Sequence, residues 1–324
     1  MKTELFGEEN FEEKMQAVVK PWLGSAVRDG YFTTSDGAKL HYHFAIPGNA
    51  KAAIILVHGY CEFYGKYHEL TYYLYNEGYA FFFMEQRGYG YSHRDAERKD
   101  FVYIDSFDTY AKDLKEFFDN VVNKEAPDLK KLILSHSMGG AVTTTFLEQY
   151  GKEINIPAAV LCSPLIKMET KGIPAAPIIA YLSLMILLGK KYAPFTKKDG
   201  FNPVENFPAS GTLSAVRYHY LFEQRLNDEN FRTWSATYGW SKAALKGTLK
   251  LQKHLGEIQT DLLLLTAGRE NQVSPKGFDL LIKKAPNITA LHFPGSKHEI
   301  FNSTVEDRQR FYTELFTFFE EHIN

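Results

Sequence analysis

The sequence contains few cysteines, no excess of charge of either sign and no repeat or low-complexity tract. Its 324 residues include 37 basic and 39 acidic side chains, which gives a formal net charge of −2. This near balance lacks the basic surface that a nucleic-acid-binding protein needs. The two cysteines, Cys61 and Cys162, have neither CxxC spacing nor further partners, which argues against a disulfide framework or a zinc site. We therefore expect reduced thiols and no bound metal.

A secretion signal and a membrane span also lack support. The N-terminal stretch MKTELFGEENFEEKMQ has acidic residues where a signal peptide needs an apolar core, so we expect a cytoplasmic protein. The uncharged run at 172–189, GIPAAPIIAYLSLMILLG, is at the short end of what spans a bilayer. Pro174 and Pro177 limit a continuous helix in this run to roughly three turns, which favours a buried helix or a lid helix.

Continuous apolar runs alternate with stretches of helical periodicity through most of the chain. The apolar runs are 52–59, 78–88, 130–135, 157–164, 260–268 and 288–295. The helical stretches are 64–77, 106–123, 138–151, 275–284 and 304–322. A strand that is buried on both faces has such a continuous apolar run. The alternation predicts an α/β fold with a mostly parallel sheet and helices on both faces.

Three segments depart from this alternation. Residues 1–24 predict an acidic helical lead-in that Pro21 ends, and residues 31–47 predict a β-hairpin around a Ser-Asp-Gly turn. Residues 165–258 predict several helices and no strong strand. An insertion of this size after the fourth apolar strand would lie over the carboxyl ends of the strands, where open α/β sheets bind ligands.

The predicted domain organisation follows from that insertion. Residues 1–164 and 259–324 would form one core, which includes the lead-in, and residues 165–258 would form a helical cap.

The segment LSHSMGG, residues 134–140, lies between an apolar strand and a helical pattern. It matches the nucleophile elbow G-x-S-x-G except that Ser135 replaces the first glycine. The elbow needs small residues on either side of the nucleophile, because the strand and the helix approach closely. Ser135, Gly139 and Gly140 are all small. Ser137 is therefore the candidate nucleophile, and its alternative role is that of a helix N-cap.

The other two members of a triad are expected downstream, in the order acid and then histidine. Glu270 and His298 each follow an apolar strand, so both lie on loops at the same sheet edge as Ser137. A glutamate can replace the usual aspartate, because the acid orients the imidazole and stabilises the imidazolium. Asp261 precedes its strand and Asp279 falls in a helix, which leaves Glu299 as the weaker rival to Glu270.

Two backbone N–H groups are candidates for the oxyanion hole, those of Tyr60 and Met138. Gly59 lets the loop after the first buried strand fold close to the site. We expect His58 to be a buried structural histidine. The glycine-rich loop 85–92 opens no helix with a G-x-G-x-x-G pattern, so we predict no dinucleotide site and place Arg87 in a local hydrogen-bond network.

With these residues identified, the chain resembles the α/β-hydrolase superfamily, and within it the bacterial lysophospholipase and monoacylglycerol lipase family. The match covers about residues 27–320. Its features are His58-Gly59 with Glu62, the loop Arg87–Ser92, His136–Gly140, Gly268–Glu270 with Val273, and Lys297–Glu299. In the cap, Ser163–Leu165 and Thr237–Trp240 resemble the lysophospholipase branch. Ser135 stands where glycine is usual, and Glu85 and Glu270 stand where aspartate is usual.

The resemblance implies hydrolysis of an ester of a lipid with one acyl chain, without a cofactor. Within the cap, the run Ile173–Leu188 is either an apolar wall for that chain or a helix that packs on the core. If its apolar face is exposed, it would dock on the inner face of the membrane. An aminopeptidase or amidase on the same scaffold is an alternative, which an acidic cap pocket would favour. A catalytically silent binding protein would require a broken triad.

Overall fold

The structure, a computed structural model, describes residues 3–192 and 200–323. Its strands are β1 (Arg28–Thr33), β2 (Lys39–Ala45), β3 (Ala53–Val57), β4 (Ala80–Met84), β5 (Phe101–Val102), β6 (Lys131–His136), β7 (Ala158–Cys162), β8 (Ser235–Ala236), β9 (Asp261–Ala267) and β10 (Ile288–Phe293). Within these residues, eight strands form one sheet in the order β1-β2-β4-β3-β6-β7-β9-β10. β1 and β2 pair antiparallel and β2 runs antiparallel to β4, whereas the pairs from β4 to β10 are parallel. The predicted mostly parallel sheet is confirmed.

The helices follow the predicted alternation. They are α1 (Phe11–Lys14), α2 (Lys20–Ala26), α3 (His68–Asn76), α4 (Phe107–Phe117), α5 (Asn123–Glu125), α6 (Met138–Tyr150), α7 (Ala175–Leu187), α8 (Ala215–Asn227), α9 (Tyr238–His254), α10 (Lys276–Lys284) and α11 (Val305–Ile323). Short 3₁₀ turns lie at Tyr64–Tyr67, Phe207–Ala209, Glu229–Phe231, Leu255–Glu257 and Ile300–Asn302. Among the described helices, none combines the length and the hydropathy that crossing a bilayer requires.

Two apolar cores lie on the two faces of the sheet, because successive side chains of a strand point to opposite faces. In β3, Ile55 and Val57 belong to the core shared with α4, α6 and α9. Ile54 and Leu56 belong to the core shared with α3 and α11. All five residues of β3 are buried, which explains why this strand is apolar throughout.

The prediction that Pro21 ends the lead-in helix is wrong. The helix begins at Phe11, widens into a π-helical turn over Met15–Val19 and continues to Ala26. Pro21 lacks the N–H that an α-helix would bond four residues back. The wider turn directly before it accommodates that missing donor, so the helix passes the proline without breaking.

Helix α9 packs with the core helices although the sequence placed it in the cap. Its buried residues Trp240, Ala243 and Ala244 belong to the same apolar core as α4 and α6. We therefore propose that the cap ends before Tyr238 rather than at residue 258, and that α9 belongs to the helical layer of the core.

A buried cluster of charges joins the lead-in, the cap and the core. The Glu69 carboxylate of α3 bonds Arg217 of α8 at 2.7 Å and Arg308 of α11 at 2.5 Å. Both arginines also donate to the backbone oxygen of Phe6. Arg217 has a second carboxylate partner in Glu8, which is half-exposed. This cluster fixes the position of α8, which contributes to the wall of the candidate site.

We expect Glu69→Gln to lower the free energy of unfolding by about 3–5 kcal/mol, because Arg308 would stay buried without a carboxylate. Urea unfolding measures this change. The matched control is Glu12→Gln on the exposed side of α1, for which we expect a change within about 0.5 kcal/mol. Equal losses in the two variants would contradict a stabilising role for the cluster.

Candidate active site

Ser137 lies at the junction of β6 and α6 with a φ of +53° and a ψ of −118°. A side chain other than glycine adopts this region only when the surroundings enforce it. The Ser137 N–H donates to the carbonyl of Cys162 at 3.0 Å, and the Ser137 carbonyl accepts from the N–H of Leu165 at 2.8 Å. The predicted sharp turn between strand and helix is therefore present at Ser137.

The turn requires the first turn of α6 to lie directly against β3. A Cβ atom at Gly139 would lie 2.0 Å from the carbonyl oxygen of Val57, so no larger residue fits there. On the strand side, Ser135 is buried and its Oγ donates to the Val160 carbonyl at 3.3 Å. A serine is thus small enough for the position where glycine is usual.

The structure brings Glu270 and His298 into direct contact. His298 Nδ1 lies 2.8 Å from both carboxylate oxygens of Glu270, and the two side chains are 3% and 2% exposed. Glu270 follows β9 and His298 follows β10, which are paired in parallel. The backbone N–H groups of Gln272 and Val273 donate to Glu270 Oε1 and hold the carboxylate in place.

The surroundings set the charges of this pair. Burial disfavours the imidazolium and keeps the pKa of His298 below its usual 6.5, although the hydrogen bond to Glu270 acts in the opposite direction. Burial by itself would raise the pKa of Glu270, but the hydrogen bond and the charge of His298 outweigh burial and lower it. At neutral pH this gives a neutral imidazole beside a carboxylate, which is the state a general base needs.

The rival acids have other partners. Glu299 forms an ion pair with Lys66 at 2.7 Å. Asp261 begins β9 at the opposite end of the strand and bonds His322 at 3.0 Å. Asp279 lies in the first turn of α10. Glu270 is therefore the carboxylate that contacts His298 Nδ1 in the part of the chain that the structure describes.

Ser137 and His298 border one cavity of about 290 Å³. In the described residues, no hydrogen bond joins the Ser137 hydroxyl to His298. Such contacts are often long without substrate and shorten in the reactive complex. The cavity wall is completed by Tyr60, Cys61, Glu62, Lys66, Asn206, Ala209, Ser210, Gly211, Tyr218, Leu221, Arg225, Trp234, Gln272 and Glu299.

The loop after β3 lies against the nucleophile. A Cβ atom at Gly59 would be 3.0 Å from Ser137 Cβ, so only glycine allows this approach without movement. The Tyr60 N–H follows directly, and within the described chain it has no hydrogen-bond partner. Met138 is the first residue of α6, where an N–H has no carbonyl one turn earlier to bond. Tyr60 borders the cavity and Met138 directly follows Ser137, so both N–H groups stay candidates for the oxyanion hole.

A buried network that the sequence did not predict supports this loop. Glu62 accepts hydrogen bonds from the Gly59 N–H at 2.5 Å, from Tyr67 and Lys66 at 2.6 Å, and it contacts His136 Nδ1 at 2.8 Å. In the sequence, Glu62 is marked only by the family resemblance. Its spacing of four residues from Lys66 is compatible with an ion pair. Its contacts with Gly59, Tyr67 and His136 depend on how the 3₁₀ turn Tyr64–Tyr67 folds back.

The cap contributes a different wall from the one predicted. Its residues at the cavity come from the segment 206–234, which contains α8. None of the residues Ile173–Leu188 borders this cavity in the described part of the chain. Instead, α7 packs against α9, and only Leu182 of its thirteen residues is buried. Most of this apolar helix is therefore exposed, which the periodicity of the sequence does not reveal.

Two other predicted roles agree with the structure. His58 is fully buried, and its Nε2 accepts from the backbone N–H of Gln86 at 2.9 Å, which links the loops after β3 and β4. Arg87 contacts Asp113 at 2.8 Å and Asp36 at 2.9 Å, as the expected local network requires.

One group of metal-donor side chains clusters within 4.8 Å among the described residues, namely His41, His43 and Glu85. His41 Nδ1 already contacts Glu85 Oε2 at 3.0 Å, and its Nε2 lies 3.3 Å from Asp29. The ring of His43 stacks on Tyr64 at 4.0 Å. None of the three borders the cavity with Ser137. We therefore assign this group a structural role.

Comparison with known proteins places this site in a family. A family model described as serine aminopeptidase, S33, matches residues 48–304, which include all the residues of the candidate site. The chain belongs to this S33 family. A probable lysophospholipase L2 of Haemophilus influenzae is 28% identical over 274 residues, with 83% of this chain and 85% of that protein covered. A monoacylglycerol lipase of Mycolicibacterium smegmatis is 22% identical over 274 residues, with 84% and 90% covered.

Solved structures of other proteins share the fold. A soluble variant of monoglyceride lipase from Saccharomyces cerevisiae, in complex with a substrate analog, superposes with a TM-score of 0.73. It is 18% identical and covers 92% of this chain and 96% of its own. A carboxyl esterase from Bacillus coagulans gives 0.69 at 14% identity, with 92% and 99% covered. The predicted α/β-hydrolase fold and family relationship are confirmed.

Replacing Glu270 by Gln should lower turnover by about 10³–10⁴-fold, because the amide holds the imidazole less well and does not stabilise the imidazolium. Activity needs neutral His298, so in the wild type it should fall as pH drops through the lowered pKa, below 6.5. Loss of the carboxylate removes the group that raises this pKa, and the acidic limb of kcat/KM should move to lower pH.

The control is Asp261→Asn, a carboxylate of the same strand at the opposite sheet edge, which should leave the pH–rate profile unchanged. Near-normal turnover of Glu270→Gln would show that another carboxylate is the triad acid.

Proposed function

We propose that this protein is a serine carboxylic ester hydrolase that cleaves a lipid with a single acyl chain, a lysophospholipid or a monoacylglycerol, through an acyl-enzyme. The observation that carries this is the strained Ser137, which borders one cavity with His298, the imidazole that contacts Glu270. Membership of the S33 family and the names of the relatives support the same reaction type. No cofactor is required for this chemistry.

The proposed mechanism assigns one role to each group. His298 Nε2 accepts the proton of the Ser137 hydroxyl while its Nδ1–H stays bonded to Glu270. The Ser137 oxygen then attacks the ester carbonyl, and the N–H groups of Tyr60 and Met138 stabilise the oxyanion. His298 next donates its proton to the leaving alcohol. In the second half, His298 activates a water molecule that hydrolyses the acyl-enzyme and regenerates Ser137.

The cavity wall supports an acyl substrate. Aromatic and aliphatic side chains of Tyr60, Tyr218, Leu221 and Trp234 line it together with the catalytic residues. Apolar walls with a few polar groups are typical of sites for small organic ligands. An acyl chain against these side chains would gain about 0.8 kcal/mol for each buried methylene.

An aminopeptidase is the second candidate, because the family description names that activity. A free substrate amine would need an unpaired carboxylate. Glu62 and Glu299 are at the wall, but both are ion-paired with Lys66. The described cap residues at the cavity include no carboxylate and do include Arg225, which would repel an amine. The wall thus favours an ester, and the intact Glu270–His298 contact disfavours a silent binding protein.

A fluorophosphonate probe should label the folded protein at Ser137, and Ser137→Ala should abolish both labelling and hydrolysis. On a substrate panel, p-nitrophenyl esters of fatty acids should be cleaved with a kcat/KM at least 100-fold above that of aminoacyl anilides. Mass spectrometry of the labelled peptide and initial rates provide the two readouts.

Ser135→Gly, which introduces the usual family residue two positions away, is the control and should remain labelled. Absence of labelling in folded wild-type protein would refute the hydrolase assignment, and faster cleavage of the anilides would favour the aminopeptidase.

We further propose that this protein is cytoplasmic and contacts the inner face of the membrane through α7. Leu184, Leu187 and Leu188 are 50%, 83% and 59% exposed and lie three and four residues apart, on one side of the helix. An exposed apolar helix side gains free energy when it is buried at the boundary between lipid headgroups and acyl chains.

The double variant Leu184→Glu/Leu187→Glu should bind phosphatidylethanolamine–phosphatidylglycerol vesicles at least about 10-fold more weakly in a sedimentation assay, because two leucine side chains that the bilayer would bury are lost. The control is Ile282→Glu, since Ile282 is 47% exposed on α10. Equal binding by the wild type and both variants would exclude α7 as the contact.

A further inference from the structure

Arg225 is a charged residue of the cavity wall that the catalytic mechanism does not use. It lies on α8, and its guanidinium is 5.2 Å from the ring centre of Trp234 and 5.7 Å from that of Phe63. Its Nη2 donates to the carbonyl oxygen of Cys61 at 2.6 Å. Cys61 directly follows Tyr60, the proposed oxyanion donor, so this positive charge lies in the same cavity wall as Ser137.

The charge of Arg225 has no counterion among the described residues. No carboxylate lies within 4.0 Å of it, its Nε is buried without a hydrogen-bond partner, and Nη1 makes no hydrogen bond in this part of the chain. Burying an unpaired charge is costly, and a protein keeps such a group where a ligand supplies the partner.

Three other buried arginines of this protein are paired with carboxylates, although Arg308 Nε, like Arg225 Nε, is buried without a hydrogen-bond partner. Arg87, Arg217 and Arg308 each contact a carboxylate within 3.0 Å. Arg94 has none but donates to four backbone carbonyls, those of Gly88, Gly90, Lys99 and Asn230. The guanidinium of Arg225 differs from these because it makes one hydrogen bond, to the Cys61 carbonyl, and no ion pair among the described residues. Its position at the cavity explains this difference.

The other cation of the wall is not free to serve a ligand. Lys66 contacts Glu62 at 2.6 Å and Glu299 at 2.7 Å, so its charge is already shared between two carboxylates. Glu62 and Glu299 form no ion pair with Arg225 and attract it only by long-range electrostatics. Neutral donors and acceptors at Asn206, Ser210 and Gln272 complete the polar part of the wall. An incoming anion would therefore find Arg225 as its charged partner.

We propose, on the basis of the ester hydrolase function above, that Arg225 binds the phosphate group of the substrate and makes the enzyme prefer a lysophospholipid over a neutral monoacylglycerol. The Nη1 donors contact a phosphate oxygen while Nη2 stays bonded to Cys61. The aromatic rings of Phe63 and Trp234 hold the guanidinium plane, which reduces the entropy lost on binding.

The decisive comparison uses two esters with the same acyl chain, 1-palmitoyl-lysophosphatidylethanolamine and 1-palmitoylglycerol. We take the ratio of kcat/KM for the phospholipid to kcat/KM for the monoacylglycerol. In Arg225→Gln this ratio should fall about 10- to 100-fold, because a charge-assisted hydrogen bond to the phosphate is lost. Glutamine retains an amide donor for the Cys61 carbonyl. Arg225→Lys keeps the charge and should recover part of the ratio.

The matched control is Arg310→Gln, which removes an exposed arginine that also donates to a backbone carbonyl, that of His292. It should leave the ratio at the wild-type value. A parallel loss of both activities in Arg225→Gln would overturn the phosphate site and make Arg225 a positioning residue for the oxyanion loop.

A second experiment measures binding and does not depend on catalysis. Glycerol 3-phosphate should bind the inactive Ser137→Ala protein in calorimetry, and at least 10-fold more weakly when Arg225→Gln is added. Equal binding by the two proteins would overturn the site. If binding depends on Arg225 but the ratio of the two lipid activities is unchanged, Arg225 does not bind the lipid headgroup, and its ligand is a soluble phosphate ester. If the wild type cleaves neither lipid while this binding persists, the hydrolase function fails and the anion site stands.

Discussion

The backbone of Ser137 adopts a φ of +53°, a conformation that an L-residue keeps only when its surroundings enforce it. Such strain costs roughly 1–3 kcal/mol. Here β7 accepts a hydrogen bond from the Ser137 N–H, and the Val57 carbonyl of β3 lies where only glycine fits at position 139. The conformation of Ser137, the proposed nucleophile, therefore depends on the parallel pairing of β3, β6 and β7.

A second constraint acts through buried charges. Glu62 holds the Gly59 N–H and His136, and His136 Nε2 lies 3.4 Å from the carbonyl oxygen of His298. Lys66 links Glu62 to Glu299, the neighbour of the base. One connected set of hydrogen bonds thus positions both the loop of Tyr60, the proposed oxyanion donor, and the loop of His298, the proposed base. Fully satisfied networks of this kind make a site rigid.

The core of the fold was predictable because its signals are local. β3 is apolar throughout and every residue of β6 is buried, since both faces of these strands are covered. Glu270 and His298 follow strands whose carboxyl ends share one sheet edge. The prediction failed in the cap and the lead-in. The run Ile173–Leu188 is equally apolar whether it lines a cavity, packs on the core or faces solvent, so its composition does not reveal its neighbours.

The sequence by itself determined the sheet, the order of the triad and the need for a small residue at Ser135. The sheet and the small residue follow from periodicity and from backbone geometry, which depend on residues close in the chain. The order of the proposed triad follows from the resemblance to the hydrolase family. Only the tertiary structure decided which cap side chains meet the nucleophile. Arg225 reaches the site because α8 is held by the Glu69 cluster and lies against the loop of Cys61, a contact between residues 164 positions apart. No local pattern encodes such a contact, since it depends on how separate elements pack.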